Sequence, residues 1–162
     1  MQAMNGKTTS LGVALILGSI ATASIQAQTK ASDTAVHQEI DFQAPPAHIY
    51  EILLDAKQFA AFTKDTAEIQ RQPGGSFKLF GGRIEGRNIE LVPNQRIVQA
   101  WRSSAWPAAD YTIVRFELVA RGSGTRIILD QAGILEDKAE WKQLDKGWPS
   151  NYWGPLHRYL DK

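Results

Sequence analysis

The sequence predicts an α+β domain in which a curved antiparallel sheet of about six or seven strands wraps around one long C-terminal helix. Three observations carry that expectation. The element order reads strand, two helices, a run of strands, then a helix. Turns rich in Gly and Pro punctuate the middle at short intervals, which suits antiparallel neighbours rather than long crossovers. The last segment carries an apolar stripe at helical spacing, and a sheet with one apolar face needs such a cover.

Each element has a local reason. Val36, Gln38, Ile40 and Phe42 alternate with His37, Glu39 and Asp41, so 35–43 reads as a half-buried strand. Pro45-Pro46 stops it and suits the first turn of a helix. Ile49, Tyr50, Leu53 and Leu54 continue that helix to about 55, and a second short helix falls over 57–62. A weak strand over 67–72 ends at Pro73-Gly74-Gly75. Strands follow over 76–80, 83–92 and 97–103, separated by Gly81-Gly82 and Pro93-Asn94-Gln95. The loop 104–110 carries Trp106-Pro107, and 111–120 with 125–131 form a hairpin across Arg121-Gly122-Ser123-Gly124. Within it Val114, Phe116 and Leu118 are expected to face the helix, with Ile113, Arg115 and Glu117 outward. Trp141, Leu144, Trp148, Tyr152, Leu156, Tyr159 and Leu160 form the closing stripe; Pro149 is expected to kink or restart it.

Composition narrows the function. The chain has 162 residues, 43% hydrophobic and 22% charged, which fits one globular domain. A net charge of +1 leaves no field for a phosphate backbone, so no nucleic-acid partner is expected. Without cysteine there is no disulfide framework, thiolate metal site or cysteine nucleophile. Residues 1–27 follow the order of a secretory signal: Lys7, a charge-free run over 11–23, then small residues ending Ala21-Thr22-Ala23 and Gln26-Ala27. That run is shorter than the ~20 residues a membrane span needs. The expectation is a signal peptide over 1–27, a lead-in over 28–34, and a domain over 35–162 that works in the periplasm or outside the cell, with no stable membrane span after cleavage.

The middle and end of the chain also carry a resemblance. Pro73-Gly74-Gly75-x-Phe77, Gly81-Gly82-Arg83-Ile84-Glu85-Gly86 and Leu91-x-Pro93-x-x-Arg96-Ile97-Val98-x-x-Trp101-Arg102 resemble the family of homologues of the activator of heat-shock protein 90 ATPase. So do Thr125-Arg126-Ile127-x-Leu129-x-Gln131-x-Gly133 and Gly147-Trp148-x-x-x-Tyr152-Trp153-x-Pro155-Leu156-x-x-Tyr159-Leu160. The resemblance implies a START-like (SRPBCC) helix-grip fold, with a cavity between sheet and helix that the superfamily uses for apolar ligands. The family name implies co-chaperone activity. That activity is not carried over, because the likeness is to the C-terminal domain of such co-chaperones and not to their chaperone-binding domain.

The side chains that would form such a cavity are Ile97, Gln99, Trp101, Val114, Phe116, Ile127, Leu129 and Gln131 on the sheet, and Trp141, Leu144, Trp148 and Tyr152 on the helix. Gln99 and Gln131 are the polar members, either ligand handles or partners of neighbouring groups. Trp106 is a lid or a loop anchor, and Arg102 and Arg115 are expected on the solvated face. His37, Glu39 and Asp41 share one face of a strand and are read as solvated rather than metal-binding; His48 and His157 add no zinc spacing. Gly74-Gly75, Gly81-Gly82 and Gly86 are read as turns and a bulge, because no helix N-terminus follows to hold a phosphate. No serine has a credible histidine and acid partner. The leading expectation is an exported, non-enzymatic domain that binds a small apolar molecule, with no cofactor and no metal. The alternatives are a cyclase- or hydratase-like enzyme using the same cavity, and a protein-interaction module whose partner the sequence does not name.

Overall fold

The computed structural model describes residues 35–133 and 138–162. The expected signal segment and lead-in, 1–34, lie outside the described residues. Strand β1 (Ala35–Phe42) is followed by helices α1 (Pro46–Leu54) and α2 (Ala56–Thr63). Then come β2 (Glu68–Ile69), β3 (Ser76–Leu79), a 3-10 turn (Phe80–Gly82), β4 (Ile84–Val92), β5 (Arg96–Ser103), β6 (Thr112–Arg121) and β7 (Gly124–Gly133). The chain closes with α3 (Lys138–Trp148), a π-helical turn (Pro149–Trp153) and α4 (Gly154–Leu160).

The seven strands form one antiparallel sheet in the order β1-β7-β6-β5-β4-β3-β2. The chain's own N-terminal strand therefore closes the edge beside its last strand. Alternation sets the two faces as expected: Val114, Phe116 and Leu118 are buried, while Arg115 is exposed and Ile113 is 44% exposed. The expected strand over 67–72 shrinks to two residues. Beyond Ile69 the backbone turns instead, with Gln72 N–H donating to the Gln70 carbonyl and Gly75 N–H to that of Gln72.

Two irregularities shape the inner face. In β4, Ile89 is an extra residue between the pairs Asn88–Gln99 and Glu90–Val98. The bulge turns Glu90 outward to Arg96 and lets Leu91 pack on the core opposite Ile97. Gly86, opposite Trp101, has no room for a side chain: an added Cβ would lie 1.9 Å from the Ala100 carbonyl oxygen and 2.5 Å from the Phe77 ring. Its absence lets Phe77 lie 6.1 Å from the Trp101 ring.

The interruption expected at Pro149 takes a specific form. Proline has no N–H, so the carbonyl of Asp145 loses its helical partner. The side chain of Gln38 on β1 supplies the missing donor at 2.8 Å. The helix widens by one residue, with Gly154 N–H reaching the Pro149 carbonyl. That extra residue brings both Tyr152 and Trp153 inside. Among the described residues, no helix is long and apolar enough to cross a membrane.

The outer face of the sheet is an ion-pair lattice. Arg126 holds Asp41 at 2.7 Å and Glu39 at 3.0 Å, and Asp130 takes both His37 (2.6 Å) and Arg115 (2.7 Å). The Arg126 guanidinium holds the Asp41 carboxyl below its usual range. The carboxylates that the sequence places beside His37 are thus engaged by a cation from β7.

Candidate functional site

Between the sheet and the C-terminal helix the space is filled at one end and hollow at the other. The hollow end is a pocket of about 380 Å³. Trp101 and Ser103 of β5, Gln131 of β7 and Ile84 of β4 form its sheet side. Leu144, Gly147 and Trp148 of α3, with Asn151 and Tyr152 of the π-turn, form its helix side. Phe80 and the loop residues Ala105 and Trp106 complete the wall, and Arg83, Glu140 and Gln143 add charged and polar groups.

Five of the expected cavity residues meet there: Trp101, Gln131, Leu144, Trp148 and Tyr152. The other seven do not line the pocket. Ile97, Val114, Phe116, Ile127, Leu129 and Trp141 are buried, but as packed core. The physical reason is visible at Phe116, whose ring meets Trp148, Tyr152 and Trp153 at 5.7, 6.1 and 6.3 Å. The extra helical turn residue drives Trp153 into the space that the sequence pattern leaves open. Gln99 is buried, with its amide bonded to Asn88 and to the Trp101 indole.

Both glutamines act chiefly as partners of tryptophan. An indole N–H only donates, so the amide oxygen must face it. Trp148 Nε1 donates to Gln131 Oε1 at 2.8 Å, and Gln131 Nε2 donates to the Thr112 hydroxyl at 2.9 Å. Trp101 Nε1 donates to Gln99 Oε1 at 2.8 Å, and Gln99 Nε2 to Asn88 Oδ1 at 2.8 Å. Asn88 in turn donates to the Gln70 carbonyl. The same pairing recurs at the filled end, where Trp153 Nε1 donates to Gln38 Oε1 at 2.8 Å. Each pair satisfies groups that would be costly to bury alone and fixes the orientation of an indole. The two pocket indoles, Trp101 and Trp148, lie 5.1 Å apart.

The rim is held from outside. Arg102 donates to the Trp106 carbonyl at 2.8 Å and pairs with Glu85. It lies on the outer face as parity predicts, but it is largely covered rather than solvated, because these acceptors surround its guanidinium. Trp106 is therefore anchored through its backbone while its half-buried side chain lines the pocket. Phe80 adopts φ +52° and Gly81 and Gly82 follow at +66° and +86°. A left-handed conformation at a bulky residue is a strained choice that packing must hold. Here Phe80 packs on Phe59 (5.4 Å) and Tyr152 (6.2 Å).

Sequence reasoning missed Phe80, Arg83, Ile84 and the flank of the helix formed by Glu140, Gln143, Gly147 and Asn151. A signal for the flank exists: these residues sit beside the apolar stripe, where a helix leaves the core and meets a rim. Among the described residues, no cluster of His, Asp and Glu is arranged to hold a metal.

The comparisons with known proteins agree with this architecture. The family described as "Activator of Hsp90 ATPase homolog 1-like protein" matches residues 43–161. The "Activator of 90 kDa heat shock protein ATPase homolog" of Dictyostelium discoideum is 31% identical over 112 residues, covering 68% of this chain and 29% of that protein. The chain spans about 30% of the length of the curated relatives it matches. Among solved structures, an HSP90 activator from Plasmodium falciparum superposes with a TM-score of 0.74 at 22% identity, over 79% of this chain and 96% of that one. CalU16 from Micromonospora echinospora gives a TM-score of 0.66 at 19% identity, over 78% and 75%.

Proposed function

This chain belongs to the Activator of Hsp90 ATPase homolog 1-like family, and from that premise we propose that it is a binding domain for a small apolar molecule held between sheet and C-terminal helix. One observation carries the reading: the pocket of about 380 Å³ walled by Trp101, Trp106, Trp148, Tyr152, Leu144 and Ile84. Small-molecule sites have this size and such an apolar, aromatic wall, with polar groups that orient the ligand; here Arg83, Ser103, Gln131, Glu140, Gln143 and Asn151 supply them. The described lining holds one carboxylate, Glu140, and no histidine, which favours binding over acid–base catalysis.

The test uses a hydrocarbon probe, 2-isopropenylnaphthalene, followed by quenching of tryptophan emission. Gly147 lines the pocket, and a Cβ added there would meet only Asn151, at 3.6 Å. The variant Gly147→Leu is therefore expected to put side-chain volume into the pocket. The expected result is saturable quenching in the wild type that is lost in Gly147→Leu. No saturable binding in the wild type, or equal binding in both, overturns the reading.

A protein-docking role is the second reading, favoured by the relatives' printed names as activators of the 90 kDa heat-shock protein ATPase. The outward side of β6 exposes Ile113 (44%) and Val119 (38%). A wide aromatic patch around Trp106 and Trp153 would strengthen it, but Trp153 is buried, 6.1 Å from Phe42 and 5.4 Å from Trp148. Export is part of the proposal too, supported by Lys7, the charge-free run 11–23 and the small residues that end it. Sequencing the N-terminus of protein from its own host should find a start near Ser24 or Gln28; an intact 1–27 segment on cytoplasmic protein would sink it.

A further inference from the structure

Tyr152 is 3% exposed, and its ring lies within 6.3 Å of Trp148, Trp153, Phe59, Phe62, Phe80, Phe116 and Trp101. Yet its hydroxyl has no hydrogen-bond partner among the described residues. Every described side-chain N or O that is sealed from solvent does have one. The Tyr152 oxygen is therefore not sealed in, and the space that Tyr152 lines is the pocket. A buried phenol usually finds a partner, because leaving it without one is costly.

A second donor borders the same indole. Gln131 also lines the pocket, and both residues touch Trp148: Gln131 through the indole N–H, Tyr152 ring to ring at 5.0 Å. The indole fixes the amide so that its oxygen is already occupied and its nitrogen gives one hydrogen to Thr112. The amide nitrogen carries one more hydrogen. Of the polar groups that line the pocket, Tyr152 and Gln131 are the buried ones, and what each has left to give is a hydrogen, a phenolic O–H and an amide N–H; the acceptors Ser103, Glu140, Gln143 and Asn151 stand where the pocket wall is half-buried or exposed.

We propose that the pocket selects flat aromatic molecules that carry a neutral acceptor, a ketone or quinone carbonyl, with the Tyr152 hydroxyl as its anchor. The aromatic part follows from the paired indoles Trp101 and Trp148 and the carbonyl from the two buried donors. Burial pushes the Tyr152 phenol well above the usual tyrosine range, so it stays a protonated donor. The proposal rests on the binding function given above and adds the chemical class of ligand.

The experiment compares 2-acetylnaphthalene with 2-isopropenylnaphthalene, which has the same shape but a methylene in place of the carbonyl oxygen. Binding is measured by titration calorimetry on the wild type and on Tyr152→Phe. The wild type should prefer the ketone by about three- to tenfold, the effect of one neutral hydrogen bond. In Tyr152→Phe the ratio of ketone to hydrocarbon affinity should fall to about one. The variant's melting temperature should match the wild type's at neutral pH, since no protein partner is lost. Equal binding of both probes to the wild type overturns the carbonyl assignment and leaves the apolar-binding function standing. A ketone preference that survives in Tyr152→Phe overturns Tyr152 as the anchor. Failure of both probes to bind the wild type overturns the binding function and this proposal together.

Discussion

The filled and hollow ends of the sheet–helix space are built from the same residue types. At the filled end Phe42 and Phe116 meet the Trp153 ring, and Leu156, Ile97, Ile127 and Leu129 are buried with them in one core. At the hollow end Trp101 and Trp148 are as large and as buried, but their neighbours on the helix are Leu144, Gly147 and Asn151. The π-turn divides the two. The turn itself puts Asn151 and Tyr152 on the pocket wall and Trp153 against Phe42 and Phe116, whereas before it Gly147 offers no side chain. The difference teaches that a pocket here is not marked by being more apolar than the core. It is marked by missing volume beside indoles whose polar edges are already tied down.

Four substitutions test that contrast. The largest effect is expected at the filled end. Phe116→Ala should cost about 3–5 kcal/mol in denaturant unfolding, since the surrounding aromatic rings can collapse only partly into the space. A cost below about 1 kcal/mol would mean that the filled end is itself loose, and the contrast would fall.

At the boundary, Gln131→Leu keeps the volume but strands the Trp148 N–H and removes the donor to the Thr112 hydroxyl, which keeps its own bond to the Trp101 carbonyl at 3.4 Å. The expected cost is about 1–3 kcal/mol. Gln131→Leu is therefore a stability variant as well as a site variant, and a neutral result would show that the Trp148–Gln131 pair is dispensable.

At the hollow end, Tyr152→Phe should be silent at neutral pH and visible in alkali. The Tyr152 phenol has a folded pKa above its unfolded value of about 10. Its contribution is therefore present below about pH 10 and is lost as pH rises beyond it, when only the unfolded chain can ionise freely. Wild-type stability should fall with pH in that range, and Tyr152→Phe should flatten the fall. Burial also raises Tyr50, so some slope should persist in the variant. An unchanged slope would mean that burial does not hold the Tyr152 phenol in its protonated form.

The smallest effect is expected outside both ends. Arg115→Ala removes an exposed partner of Asp130 on the outer face and should stay within about 0.5 kcal/mol. Burial alone would raise the Asp130 carboxyl, but hydrogen bonds from His37 and Arg115 hold it below its usual range. The stability this contributes is present above about pH 4 and is lost as pH falls through the lowered folded value. Arg115→Ala should therefore show its effect at neutral pH and lose it in acid. A cost larger than that of Phe116→Ala would reverse the two faces of β6.

Much of this molecule was determined by local pattern. The faces of β6 follow from the alternation of Val114, Phe116 and Leu118 with charged neighbours, because a strand repeats every two residues whatever surrounds it. The helix stripe from Trp141 to Leu156 and its interruption at Pro149 follow in the same way, from helical geometry and the missing proline N–H. The tertiary structure alone decided which of those inward residues line empty space. A pocket is a difference between the volume that packed elements enclose and the volume their side chains occupy, and neither quantity belongs to any one segment. The glutamine partners show the same limit. Gln38 reaches Trp153 across 115 residues of chain, and Gln131 reaches Trp148 from another element. A lone Gln on an inward face has several ways to satisfy its amide, and only the fold brings the indole that chooses among them.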